Sequence, residues 1–163
     1  MSGGNLQSKE LGASGVTITS TGASTTNITA TSAGTLDMRS GGTTGAVQPL
    51  SGYFELTAQW STVTSIVSGT PVADLYLVPS ADNGSNYATV DTTSGAGFIP
   101  SALRFGSFVN ALASPSGSTN YRFATAFGDV YPDIYTVYII NRSGQTLSAN
   151  WTLKFFPIEG QYT

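Results

Sequence analysis

From Tyr53 to Trp60 the chain reads YFELTAQW, and apolar residues fall on every second position. Phe54, Leu56, Ala58 and Trp60 share one face of an extended strand; Tyr53, Glu55, Thr57 and Gln59 share the other. A period of two marks a strand that buries one side. VADLYLVP (72–79) sets Ala73, Leu75 and Leu77 against Asp74, Tyr76 and Val78. LRFGSFVN (103–110), NYRFATAF (120–127) and DIYTVYIIN (133–141) predict three more strands. TLSANWTLKFF (146–156) closes the set, with Leu147, Ala149, Trp151, Leu153 and Phe155 on one face. Turn-forming runs SADNGSN, SPSGSTN and NRSGQ separate these segments. Pro79 and Pro157 fall at strand ends, where a missing N–H does little harm. GDVYPD reads as the entry to the strand that starts at Asp133.

No segment carries helical periodicity. Roughly six to eight short strands with such turns predict an all-β fold, an antiparallel β-sandwich. Several connections are long rather than tight hairpins, which favours a jelly roll; an immunoglobulin-like sandwich is the second reading. The expected core is Phe54, Leu56, Trp60, Leu75, Leu77, Phe108, Phe123, Val137, Ile139, Trp151, Leu153 and Phe155.

Residues 1–52 contain none of the aromatic residues. Aromatic side chains bury the largest areas, so the main core is expected in residues 53–163, with residues 1–52 as an extended N-terminal arm rich in Ser, Thr and Gly. GVTITS (15–20) alternates Val16 and Ile18 with hydroxyls, and TNITA (26–30) repeats the hint around Ile28. Strands this short and weak rarely hold alone. They fit either an arm ordered by pairing with something else or a disordered tail.

The strand from Asp133 is apolar on both faces, with Ile134, Tyr138 and Ile140 on one and Tyr135, Val137 and Ile139 on the other. A strand apolar on both sides has more to bury than one core, which predicts a homo-oligomer. The candidate interface residues are Val16, Ile18 and Ile28 from the arm, and Tyr53, Tyr76, Tyr138 and Ile140 from the sandwich. Tyr53, Tyr76 and Tyr138 also suit a rival role as stacking platforms for sugars.

Composition narrows the chemistry. Only 9% of the 163 residues are charged, so solubility rests on Ser, Thr, Asn and Gly. The net charge is −3 and the six basic residues are scattered, which argues against direct nucleic-acid binding. The chain has no Cys and no His, removing disulfides, thiolate metal sites and the commonest general base. In SADNGSNY (80–87), Asp82, Asn83, Ser85 and Asn86 carry oxygens hard enough for Ca²⁺. With one carboxylate, no calcium-loop spacing and a strong Asn83-Gly84 turn dipeptide, a structural turn is the expectation. Asp91, Asp129 and Asp133 do not mark a pair across a cleft. The many serines have no activating base, and GGTTGAVQP (41–49) lacks the Lys of a phosphate loop. No catalytic, metal or cofactor residue is therefore expected. The sequons NIT, NGS, NRS and NWT matter only in a secreted eukaryotic protein, and the polar N-terminus lacks the apolar run of a signal peptide. No apolar window approaches a membrane span.

DLYLVPSADNGSNY (Asp74 to Tyr87) resembles a strand and loop common in small virion proteins of tailed bacteriophages. In that family a GSF strand follows, matched here by Gly106, Ser107 and Phe108. The family ends on a strand, an SG turn and a closing strand, to which YIINRSGQTLSANWTLKFFP (Tyr138 to Pro157) is similar. The likeness covers about half the chain. The Pro-Gly turn often found before the penultimate strand is replaced here by GDVYPDIY, and the segment before Tyr53 is not covered. The resemblance implies a non-enzymatic virion structural protein, with a capsid decoration (cement) protein as the first reading. Such a protein would be made in a host bacterial cytoplasm and end on the phage capsid surface. The implied partners are the major capsid protein and further copies of the chain, a homotrimer being favoured. A tail, neck or head-fibre protein of the same virion and a host-glycan-binding module are the alternatives.

Overall fold

The computed structural model describes residues 6–10, 15–26, 28–39, 50–60, 68–80, 82, 84–88, 103–110, 120–131 and 133–162. Ten strands run through them: β1 (Leu6–Glu10), β2 (Val16–Gly22), β3 (Ala30–Asp37), β4 (Leu50–Ala58), β5 (Pro71–Pro79), β6 (Arg104–Val109), β7 (Tyr121–Ala124), β8 (Gly128–Val130), β9 (Ile134–Asn141) and β10 (Trp151–Tyr162). Among the described residues they form two antiparallel sheets. In one, β10 lies between β4 and β2, its far end pairs with β1, and β4 carries both β7 and β8 on its other edge. In the other the order is β3-β9-β5-β6. The chain changes sheet at β2 to β3, β3 to β4, β4 to β5, β6 to β7, β8 to β9 and β9 to β10. The fold is thus the all-β sandwich that the alternation predicts.

The core fills the space between the sheets, as expected when one face of each strand is apolar. All twelve expected core residues are buried in one cluster. Phe54 packs against Phe105 and Phe155 at centroid distances of 4.9 and 4.8 Å, and Trp60 against Phe123 at 5.7 Å. β10 fits closely between its neighbours. A Cβ at Gly22 would fall 2.0 Å from the Trp151 ring, so only glycine lets that strand pass. The Trp151 indole N–H then donates to the carbonyl of Ala23 at 2.7 Å, joining the same two strands.

The expected boundary at Tyr53 needs correction for residues 15–39. GVTITS forms most of β2, and Val16 and Ile18 pack against the main core. The second hint is displaced by two residues: β3 begins at Ala30, and Ile28 sits in the turn before it. β3 pairs with β9 over its whole length, and Leu36 and Met38 are fully buried in the core. The partner expected for these strands is the rest of the same chain. Composition hides this because Leu and Met bury area as aromatic residues do, without being aromatic.

A buried asparagine fastens the segment to the β9–β10 turn. Asn141 donates from Nδ2 to the carbonyls of Thr25 (2.9 Å) and Gln145 (2.6 Å), and its Oδ1 accepts from the Ser143 N–H and hydroxyl. Two donor and two acceptor capacities are all used, so its burial carries no unpaired polar group. Thr25 and Leu147 add a backbone bridge beside it. Asn83, Asp91 and residues 41–49 and 114–119 lie outside the described residues.

Candidate interaction surface

An aromatic row crosses the solvent side of the larger sheet. Tyr53 on β4 is in register with Phe156 on β10, and their rings stack at 5.0 Å with 5° between planes. Phe127, just before β8, meets Tyr53 edge-on at 5.3 Å and 77°. Gly52 pairs with Gly128, so the next step along the two strands brings Tyr53 opposite Phe127. Phe156 is covered in this arrangement, whereas Phe127 remains 68% exposed. The period of two then sets Phe127, Asp129 and Tyr131 on one side of β8 and Val130 in the core; Tyr131 is 63% exposed. Gly15, at φ +65°, lies under Phe156, where a Cβ would come within 2.9 Å of the ring.

The row exists because β10 changes character midway. Trp151, Leu153 and Phe155 point into the core, and Thr152 and Lys154 alternate with them. At Phe156 an apolar side chain takes the outer position while the register with β4 continues unbroken from Thr152 to Ile158. Around the row the outer face is polar. Arg122 lies 4.0 Å from Glu55, and the Ser51 hydroxyl bonds to Asp129. Aromatic rings rimmed by polar groups are what a protein interface or a sugar platform presents.

The seven candidate interface residues are dispersed. Tyr53 belongs to the row. Val16 and Ile18 are spent largely on the core. Ile28 is exposed. Tyr76 and Ile140 are corrected: both are buried on the outer side of the smaller sheet, where they form a second cluster with Ala30 and Val78. Tyr87, Leu103 and Tyr138 pack against that cluster. The second apolar face of β9 is therefore covered by this chain, and a ring buried like that of Tyr76 offers no face to a sugar. Phe127 and Tyr131 were not among the expected residues. Their sequence signal is the spacing of two aromatics four apart around the short GDV segment, inside the stretch read as a strand entry.

The loop from Ser80 to Tyr87 is a turn. Ser80 and Tyr87 form a bridge that closes it. The Ser80 hydroxyl accepts from the Gly84 N–H at 2.6 Å and donates to the Asn86 carbonyl at 2.9 Å. Asp82 accepts from both the backbone and the side-chain amide of Asn86. Those Asn86 bonds hold the exposed Asp82 carboxyl below its ordinary range. Gly84 takes φ +96°, the left-handed conformation that glycine allows. The Ser80 hydroxyl and the Asp82 carboxylate are thus engaged by the loop's own groups.

A cavity of about 270 Å³ opens beside the β5 and β6 ends, lined by residues that include Leu77, Leu103, Phe105, Val130 and Tyr135. Burial raises the Tyr135 hydroxyl above its usual range; the hydroxyl donates to the Tyr131 carbonyl at 3.1 Å. Comparison with known protein families, curated proteins and solved structures finds no match to this chain.

Proposed function

We propose that this chain is a non-enzymatic bacteriophage virion structural protein with a jelly-roll fold, and that it acts as a capsid decoration protein on the assembled lattice. The observation that carries the reading is the aromatic row Phe156–Tyr53–Phe127 with its exposed end and the neighbouring Tyr131. It supplies apolar area outside the core, which an interface needs and a monomer does not. The alternation of strands between β2-β10-β4-β7 and β3-β9-β5-β6 supports the jelly-roll reading over the immunoglobulin-like one, since six of the nine consecutive strand pairs change sheet. The likeness of Asp74–Tyr87 and Tyr138–Pro157 to small tailed-phage virion proteins supplies the biological setting.

In this reading the protein works by mass action. A homo-oligomer, with a trimer favoured, binds the assembled major capsid protein better than its free subunits, and so adds free energy to the lattice. Several modest contacts per oligomer act together through avidity. The test is the copy number of this chain in purified virions, measured by quantitative mass spectrometry. A number comparable with that of the major capsid protein supports decoration; a handful per particle moves the chain to the tail, neck or head fibre. Phe127 and Tyr131 also favour a second reading, a glycan-binding module, because an exposed ring is a sugar platform. Binding on a glycan array that disappears in Phe127→Ala would establish that alternative.

A further inference from the structure

Two of the six basic residues converge on one carboxylate on the outer side of the smaller sheet. Asp74 lies on the central strand β5, and its side chain is only 9% exposed. Arg104, from the edge strand β6, donates to its Oδ1 from Nε at 3.2 Å and from Nη2 at 2.7 Å. The Ser107 hydroxyl donates to the same oxygen and also meets Arg104 Nη2. Arg142, just beyond β9, donates from Nε to Oδ2 at 2.9 Å.

One arginine would neutralise Asp74. The second leaves a surplus positive charge in a chain whose net charge is −3. It also places two like charges beside each other, an arrangement that only the shared carboxylate offsets. Burial of Asp74 fixes where both guanidinium groups sit. Yet the arginine side chains stay 42% and 37% exposed, so both remain within reach of solvent. A guanidinium carries five N–H donors in a planar fork; the bonds to Asp74 use Nε and Nη2 of Arg104 and Nε of Arg142, Arg104 Nη2 also meets Ser107, and Arg142 also bonds to the Tyr76 side chain, which still leaves Nη donors on both. Two preoriented forks with donors left over, beside a buried counter-charge that orders them, match the geometry that recognises a planar oxyanion.

We propose that Arg104 and Arg142 form a clamp for a carboxylate presented by a partner protein, either an acidic side chain or a chain terminus. A phosphate carries the same oxyanion chemistry. The acidic chain and its scattered basic residues disfavour a polyphosphate backbone, so a single carboxylate is the better match. The clamp is independent of the virion reading.

The test is a titration of the full chain, with arginine Nε–Hε signals followed by NMR. Sodium acetate and, in a second arm, inorganic phosphate replace chloride at constant ionic strength. The expected result is saturable shifts at Arg104 and Arg142 in acetate, with a Kd on the order of millimolar, while Arg39 and Arg122 drift linearly. Arg142→Gln should weaken the acetate response at Arg104 by roughly tenfold. If that variant does not fold, Arg104→Gln read at Arg142 answers the same question, and the wild-type titration already decides whether a site exists. Linear drift at all four arginines would overturn the proposal and leave the cluster as an internal ion pair. Saturation by phosphate without saturation by acetate would overturn the carboxylate assignment.

Discussion

Ile28 combines three features that disagree with one another. It is β-branched, it is 42% exposed, and it sits at φ +60°. The left-handed region costs such a residue about 1–2 kcal/mol. Its surroundings hold it there: its N–H donates to the Asn141 carbonyl at 2.8 Å, and the Thr26 and Thr29 hydroxyls bond across the turn at 2.7 Å. Asn tolerates this conformation, so Ile28→Asn should raise stability by about 1 kcal/mol, read as a higher thermal midpoint. A lower midpoint would mean that the isoleucine side chain contributes packing which outweighs its strain. Asp74 poses a question of pH. Burial pushes its carboxyl up, but bonds from Ser107, Arg104 and Arg142 outweigh burial and hold it below its ordinary range. The unfolded carboxyl titrates at about 3.9. The pairing therefore contributes fully above that pH and is lost as pH falls through the lower folded value. Asp74→Asn should cost about 1–3 kcal/mol at neutral pH, because two guanidinium groups lose their anion. It should also flatten the loss of stability below about pH 4 in urea titrations. Some slope will remain, since Asp37 and Asp82 are also held low by hydrogen bonds from Arg39 and Asn86. An unchanged acid slope would show that Asp74 does not carry this linkage.

At the scale of elements, β3 decides how the N-terminal region should be regarded. It forms the edge of the smaller sheet and leads to Leu36 and Met38 in the core. Deleting two fully buried large side chains costs several kcal/mol, comparable with the whole stability of a domain of this size. A chain starting at Gly52 should therefore lack dispersed amide signals in NMR and a cooperative thermal transition. A well-folded truncated chain would restore the view of residues 1–51 as an accessory arm. β4 to β7, β9 and β10 were legible because their apolar rows are aromatic-rich and mostly alternate, as in Phe54-Leu56-Ala58-Trp60, whereas the three-residue β8 (Gly128–Val130) lay inside the stretch read as a strand entry. β3 was illegible for a physical reason. ATSAGTLD has few apolar residues, and its pairing with β9 shifts register between Ser32 and Gly34, so apolar positions lose their period of two. The candidate surface was half legible. Tyr53 stood out by alternation, but its partners Phe156 and Phe127 come from segments far away in sequence, and strand pairing brings the three rings together. The Tyr76 and Ile140 positions misled because an apolar second face looks the same whether another copy or the chain itself covers it.

For the whole molecule, the question is whether the aromatic row is a contact between copies. Phe127 and Tyr131 are mostly exposed, so replacing them removes little that holds one copy together. The edge contact of Phe127 with Tyr53 is the part at stake, worth about 0.5–1.5 kcal/mol. Between copies the balance differs, because well-desolvated aromatic anchors dominate interface energetics and each costs about 2 kcal/mol or more when truncated. The double variant Phe127→Ser with Tyr131→Ser should therefore separate fold from assembly. Light scattering of the wild type should give a multiple of the 16.8 kDa chain mass, three times if the trimer reading is right. The double variant should fall to the single-chain mass, with its thermal midpoint shifted only by what a small loss in the monomer allows. An oligomer that survives the double substitution places the contact between copies elsewhere and leaves the row to face the capsid or a sugar. A wild type that is already a monomer removes self-association altogether. The row would then be the binding face of a protein that reaches its lattice one copy at a time.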